Sequence, residues 1–330
     1  VLAVLRFNFA VPGLDPGALS AAYTAGIEMA RHADAHGLDL VSLEEHHASG
    51  DGWSPAPLLN AAMILGATSQ LRVIIQALLV PLYDPPRLAE ELAVLDLASG
   101  GRLTIVAGLG YRPEEYTALG RDWKTRGRAL DEALETLLAV WSGEPFEHEG
   151  RQVRLTPVPR RAPSALVWVG GGKPVSARRA ARLGLPFCMP KNDPALAAYY
   201  TEQLAAHGTS GFVIMPPERT RLTFLADDPD RAWARLGHHF LHEARAYASW
   251  QQPGQTSAVR SHADTVDELR AEGVYEVLTP AECVERAQAA GPMDTMVLHP
   301  LVGGLPPADG WESLHLYTDK VLPALTAAAG

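Results

Sequence analysis

The chain reads as an α/β protein, a (β/α)8 barrel carrying insertions, on three observations. Eight short apolar runs alternate with helical patterns along 330 residues. The strongest of these runs, Leu71–Val80, is rich in β-branched residues and almost without polar alternation, as a parallel strand covered on both faces should be. No linker interrupts the alternation, so a single domain over residues 1–330 is expected. The competing arrangement is a doubly wound sheet with a second domain from about residue 190.

Taken in order, the first strand is Ala3–Phe9, closed by Pro12-Gly13. A helix with Ser20 as its cap and Tyr23, Ile27 and Ala30 on one face ends before Gly37. The second strand, Leu38–Leu43, delivers Glu44-Glu45-His46-His47 at its C-terminal end, and a loop leads to the helix Leu58–Thr68. After strand three, Pro85-Pro86 opens a helix where a missing N–H costs nothing, and Ser99-Gly100-Gly101 stops it. Strand four, Leu103–Ala107, runs into Gly108-Leu109-Gly110, and a helix through Leu130–Trp141 follows a polar loop. Residues 146–163 are Pro- and Arg-rich and read as an irregular surface insertion.

Strand five is Ala165–Val169, followed by Gly170-Gly171-Gly172 and the helix Val175–Leu183. Strand six, Leu185–Met189, precedes the helix Pro194–Ala206. Gly211–Met215 and Leu222–Ala226 both resemble strands. The second is taken as strand seven because the long helix Pro229–Trp250 follows it. Residues 251–266 are weakly patterned and read as a lid or loop. Thr279 and Glu282 form a capping box, Thr295–His299 is strand eight, and Gly310–Leu325 is the closing helix.

Composition narrows the function classes. Apolar residues make up 47% and charged residues 20%, enough for a large core, and the net charge is −10. No Lys/Arg run supplies a nucleic-acid footprint, and no uncharged apolar run approaches the ~18–20 residues of a membrane span. The apolar N-terminus is interrupted by Arg6 and Asn8 and reads as a strand rather than a signal peptide. Two cysteines, Cys188 and Cys283, form no C-x-x-C pair, so a reducing, cytoplasmic setting is the default.

Several residue groups are candidates for chemistry, each with a plainer reading beside it. His46 and His47 stand at a strand end and point to opposite sides, so at most one faces the mouth of a barrel. An imidazole there can exchange protons near neutral pH, although a loop histidine bonded to its neighbours is the commoner case. Gly170-Gly171-Gly172-Lys173 with Ser176 lies between a strand and a helix. Backbone N–H groups and the lysine there suit a phosphate, and tight packing of the turn is the alternative. Gly108-Leu109-Gly110 is a poor dinucleotide fingerprint because position 113 is proline, but it leaves room for a flat ligand. Gln76 is an unusual amide inside an apolar strand and, if buried, needs a partner. His238 and His242 have metal-compatible helical spacing without a completing motif, so an exposed helix face is the better reading and no metal is expected.

Together these residues resemble the bacterial-luciferase-like family of flavin-dependent monooxygenases and oxidoreductases. The resemblance rests on Glu45-His46-His47, on Tyr83-Asp84-Pro85-Pro86-Arg87-Leu88-Ala89-Glu90-Glu91 and on Leu95-Asp96-Leu97-Ala98-Ser99-Gly100-Gly101-Arg102-Leu103. It continues through Gly108-x-Gly110 with Glu115-Tyr116, Arg128-x-x-x-Glu132, Leu138-x-x-Trp141, Val169–Gly172 and Val321-Leu322-Pro323-x-Leu325. It implies a luciferase-like TIM barrel with FMN, or the related deazaflavin coenzyme, across the C-terminal mouth.

His46 would then lie by the reactive face of the flavin. A cis peptide at Gln76-Ala77 would bulge toward the ring, Gly108 would make room, and Gly170, Gly171, Gly172, Lys173 and Ser176 would hold the phosphate. Bacterial luciferase has cysteine and arginine where this chain has Gly108 and Leu109, so Lys173 would replace the arginine and light emission is not expected. The implied activity is a reduced-FMN and O2-dependent monooxygenase acting on a small organic substrate, served by a separate flavin reductase and forming a homodimer. The alternatives are a deazaflavin-dependent hydride-transfer oxidoreductase on the same barrel and a flavin-binding protein without turnover.

Overall fold

The computed structural model describes residues 2–218, 220–252, 259–291 and 294–329. Its strands are β1 (Leu2–Phe7), β2 (Leu40–Leu43), β3 (Arg72–Leu78), β4 (Leu103–Ala107), β5 (Phe146–His148), β6 (Arg151–Val153), β7 (Val167–Gly170), β8 (Phe187–Cys188), β9 (Val213–Ile214), β10 (Leu222–Leu225), β11 (Tyr275–Leu278) and β12 (Thr295–Leu298). Ten of them form one sheet in the order β11-β10-β12-β1-β2-β3-β4-β7-β8-β9. The expected alternation of parallel strands and helices is present.

The strand count differs from the expected eight among the described residues. Both 213–214 and 275–278 join the sheet, and β10 pairs with the last strand, β12, on one side and with β11 on the other. Tyr275–Leu278 escapes a sequence reading because four residues, alternately buried and half-buried, run straight into the Thr279 cap, too short for a period to emerge. Residues 146–163 are not wholly irregular. β5 and β6 pair antiparallel across Glu149 and Gly150, both at positive φ, as a two-residue hairpin turn requires.

Backbone packing divides the chain into two compact units: Val1–Ala56 with Ala67–Val73 and Arg219–Gly330, and Pro57–Gly66 with Ile74–Glu218. In the first unit the helix Pro16–Ala35 is capped by Asp15, which accepts from Ala18 N at 2.8 Å, with Pro16 at the first helical position. Ser20 therefore lies inside the first turns and is not the cap. Asp34, near the end of that helix, accepts the backbone N–H groups of Ser69, Gln70 and Leu71 and so ties down the approach to β3. The core of this unit gathers Leu222, Phe224, Leu236, Phe240, Leu269 and Val277. The Thr279–Glu282 capping box is formed in both directions. Of the stretch 251–266, residues 253–258 lie outside the described residues, 259–265 have no regular structure, and a helix begins at Val266.

In the second unit, Asp84 caps the helix Pro85–Ala98, accepting from Arg87 N at 3.1 Å. The family-specific run that follows has a structural purpose. Asp96 is fully buried and accepts from Arg160 N at 2.8 Å, Arg161 N at 3.2 Å and Arg161 Nε at 2.6 Å. The same guanidinium also donates to the carbonyls of Leu103 and Ala165. Gly101 has φ +88° and faces the arm of Arg161, where a Cβ would lie 2.8 Å from Cδ. Arg102 reaches Leu65 O at 2.8 Å and Ser99 O at 2.8 Å. These contacts bind the end of one helix to the start of β4 and to the segment leading into β7.

Candidate active site

The polar centre of the first unit begins on β1. Parallel pairing sets Arg6 opposite Ser42 and Phe7 opposite Leu43, so Arg6 lies beside the chain as it leaves β2 at Glu44. Its Nε donates to Glu44 Oε1 at 2.5 Å and Nη2 to Oε2 at 3.0 Å, the forked geometry a guanidinium offers a carboxylate. Trp53 Nε1 donates to the same Oε2 at 3.1 Å.

The third edge of Arg6 serves Glu243, whose Oε1 accepts from Nη1 at 2.6 Å. Glu243 lies on the helix Pro229–Ser249 and has no exposed surface. Its carboxylate also accepts from Asn8 Nδ2 at 2.7 Å, Tyr275 OH at 3.0 Å, His299 Nε2 at 2.8 Å and Gly303 N at 3.2 Å. Because a carboxylate only accepts, the proton on the facing ring edge of His299 sits on Nε2. Burial opposes ionisation of Glu243, but the charge and hydrogen bonds of His299 and Arg6 outweigh it and hold the carboxyl well below the usual range. Burial and the Glu243 charge push the Tyr275 phenol upward, so it remains a neutral donor. A buried carboxylate surrounded by this many donors is a fixed anion. Among the described residues His299 Nδ1 has no partner, and it lies by a small cavity also lined by Thr223, Tyr275 and Glu276, where a water would satisfy it.

Both histidines of the motif have distinct environments, as alternation along an extended segment requires. His47 Nε2 bonds Glu45 Oε1 at 2.9 Å. His46 is 6% exposed and sits among aromatic rings. Its centroid is 4.7 Å from Trp250, 5.8 Å from Trp53 and 6.4 Å from Tyr247. Trp53 stacks on Tyr247 at 6.0 Å and meets Trp250 edge-on at 5.0 Å. Three rings from two distant segments thus close around one imidazole.

The second unit holds the remaining candidates. The Gln76–Ala77 peptide in β3 is cis. Gln76 is exposed and Ala77 half-buried, so the amide does not need the buried partner expected for it. Gly108 follows β4, and its N–H donates to Leu78 O at 2.8 Å. A Cβ at Gly108 would lie 2.7 Å from Ala77 Cβ, so close strand packing alone requires glycine here and brings Gly108 against Ala77.

Gly170 ends β7, Gly171 and Gly172 turn the chain, and Lys173 is the exposed N-cap of the helix Pro174–Arg182. Gly171 has φ +153°, and a Cβ there would lie 2.5 Å from Ser176 Cβ, so the turn folds directly onto the buried serine. No side chain caps this helix. Among the described residues, three buried N–H groups of the unit have no acceptor: Arg126 Nε, Trp168 Nε1 and Arg179 Nη1. Arg179 lies one turn beyond Ser176 and is fixed by Asp131 at 2.7 Å and Gly127 O at 3.1 Å, next to Arg126 in sequence. An uncapped helix start, a side-chain-free turn and unsatisfied donors fit an anionic group.

The helix histidines do not converge. His239 Nδ1 bonds Gly303 O at 2.9 Å and His242 Nε2 bonds Asp51 at 3.0 Å. Among the described residues, no group of three or more His, Cys, Asp and Glu is arranged to hold a metal, and no helix is long and apolar enough to cross a membrane. Sequence reading missed Arg6, Asn8, Glu243, Tyr275 and His299, together with the rings of Trp53, Tyr247 and Trp250. A hint was present: Arg6 interrupts an apolar strand, and Glu243 lies on the face of its helix that carries Phe240 and Ala244.

A flavin-dependent trigonelline monooxygenase, oxygenase component, from Acinetobacter baylyi is 30% identical over 169 residues, covering 49% of this chain and 47% of that protein. The chain thus spans about half the length of the curated relatives it matches. Among solved structures, the monooxygenase RslO1 from Streptomyces bottropensis superimposes with a TM-score of 0.74 at 24% identity, covering 98% of this chain and 99% of that one. The oxygenating constituent of 3,6-diketocamphane monooxygenase from Pseudomonas putida, in complex with FMN, gives 0.67 at 20% identity, with 98% of each chain covered. These likenesses support the luciferase-like α/β barrel class of fold. The sequence profile described as luciferase-like monooxygenase matches residues 4–297, and the chain belongs to that family.

Proposed function

We propose that the chain is the oxygenase of an FMN-dependent monooxygenase acting on a small organic substrate. The observation that carries this reading is the Gly170–Ser176 turn, in which an uncapped helix start folds side-chain-free backbone onto a buried serine. Gly171, Gly172, Lys173 and Ser176 bind the phosphate, with Arg179 and Arg126 supplying the acceptor-seeking N–H groups. Gln76, Ala77, Gly108 and Gly170 line the ring of the cofactor. His46, in its aromatic surround, holds and delivers the proton that oxygen chemistry consumes. Reduced FMN, when bound, supplies the electrons for O2 activation.

A separate reductase delivers that cofactor, in keeping with a relative described as an oxygenase component. We also propose a cytoplasmic location and a homodimer. Leu59 and Met63 on one helix and Val94 and Leu97 on another are exposed large apolar side chains that a second copy would cover.

The test is anaerobic equilibrium dialysis of the protein against reduced FMN. Micromolar binding is expected, weakened at least about tenfold in Gly171→Ala because the added methyl displaces Ser176 and the turn. Equal binding by the variant would overturn the phosphate assignment, and no binding by either would overturn the function.

A further inference from the structure

The Arg6–Glu243 pair is joined to the segments that carry Trp53, Tyr247 and Trp250, the three rings around His46. On one arm, Arg6 forks onto Glu44, and Glu44 takes the indole N–H of Trp53. On the other arm, Arg6 holds Glu243. Glu243, Tyr247 and Trp250 fall at i, i+4 and i+7, one face of the same helix over its last two turns. Trp250 is the C-cap, where the last carbonyls lack intrahelical donors and a helix is least secure. Five further contacts, from Asn8, Tyr275, His299 (two) and Gly303, pin Glu243 to other segments of the unit.

We propose that Arg6 and Glu243 are positioning residues for His46. A single buried guanidinium–carboxylate pair sets both walls of the aromatic clamp, Trp53 through Glu44 and Tyr247 with Trp250 through the helix. Neither residue reaches the reacting atoms; they act through the clamp. Arginine is required at position 6 because only its fork serves two carboxylates at once, and a lysine ammonium is a single point charge. Glutamate is required at 243 because a neutral amide there presents an NH2 group to donors and removes the fixed anion. The inference rests on the proton-transfer role proposed above for His46, but the clamp itself does not depend on flavin.

The test is histidine-selective 13C labelling of the full chain, with the His46 ring signal assigned by its loss in His46→Gln. Ring currents of Trp53, Tyr247 and Trp250 make that signal a direct gauge of clamp geometry. Glu243→Gln and Arg6→Lys should each move the His46 signal well beyond its change in Leu269→Ala, a core truncation in the same unit outside the network. Both should lower kcat by about 10- to 100-fold, as a displaced catalytic group does, with reduced-FMN affinity nearly unchanged. Should Glu243→Gln fail to fold, Arg6→Lys, which keeps the charge, decides the matter.

A His46 signal that stays in place in the folded variants overturns the proposal, whatever happens to turnover. A signal that moves while the wild type neither binds flavin nor turns over supports the clamp and removes the functional reading instead.

Discussion

Replacing Asp96 by alanine should destabilise the protein by about 3–4 kcal/mol without touching cofactor binding. Its carboxylate is fully buried and accepts three hydrogen bonds, at 2.6, 2.8 and 3.2 Å, one of them from the Arg161 guanidinium. Hydrogen bonds to a charged group contribute roughly 1.5–3 kcal/mol each, and breaking a buried ion pair costs about 3–5 kcal/mol. The lower part of that range applies because the Arg161 side chain is 24% exposed and can regain water, and it keeps its carbonyl acceptors.

At about 2.1 cal/mol/K of unfolding entropy per residue, the whole chain carries ~0.7 kcal/mol/K, so the melting point should fall by roughly 5 °C. Urea denaturation followed by tryptophan fluorescence measures the loss, and an FMN titration of the folded variant measures the site. A loss below about 1 kcal/mol would refute the reasoning that this family-specific stretch is a clamp in the scaffold. A fall in FMN affinity with stability intact would refute it from the other side.

His46→Ala should lower kcat by about 10²- to 10⁴-fold while FMN still binds, the range lost with a general acid or base; unchanged turnover in a steady-state assay would remove His46 from the chemistry. Stability should fall in acid. Glu243 has its folded value depressed below its unfolded one, so its contribution is fully present above about pH 4.3 and drains away as pH falls through the folded value. Urea midpoints should drop below about pH 4, with a shallower drop in Glu243→Gln, and parallel curves would contradict the assignment. Burial pushes the Cys188 and Cys283 thiols up to about 12, so a thiol reagent at neutral pH should modify neither until the protein unfolds; rapid labelling of the native protein would contradict their burial.

Local chemistry was legible in the sequence and distant pairing was not. Asp84 before two prolines, the Thr279–Glu282 capping box and the apolar run of β3 each express a preference settled within a few residues, and the structure carries all three. The glycine turn at 170–172 was equally plain, since only a side-chain-free backbone could fold onto Ser176. Arg6 and Glu243 are 237 residues apart, and no period or spacing links them before the strands are assembled.

The same holds for Trp53 and Trp250, each unremarkable alone and joined only around His46. Gln76 misled because position in an apolar strand was taken for burial. Its side chain is exposed near the strand's end. Asp96 was visible as part of a family pattern, but its partner Arg161 lay in a stretch that reads as irregular.

The central claim, FMN-dependent oxygenation, is tested most directly by titrating the purified protein with FMN and with the deazaflavin coenzyme side by side. Quenching of flavin fluorescence should saturate at micromolar FMN, need at least about tenfold more FMN in Gly171→Ala, and be matched by no comparable binding of the deazaflavin. Micromolar binding of the deazaflavin alone would contradict the account and transfer the chain to hydride-transfer chemistry.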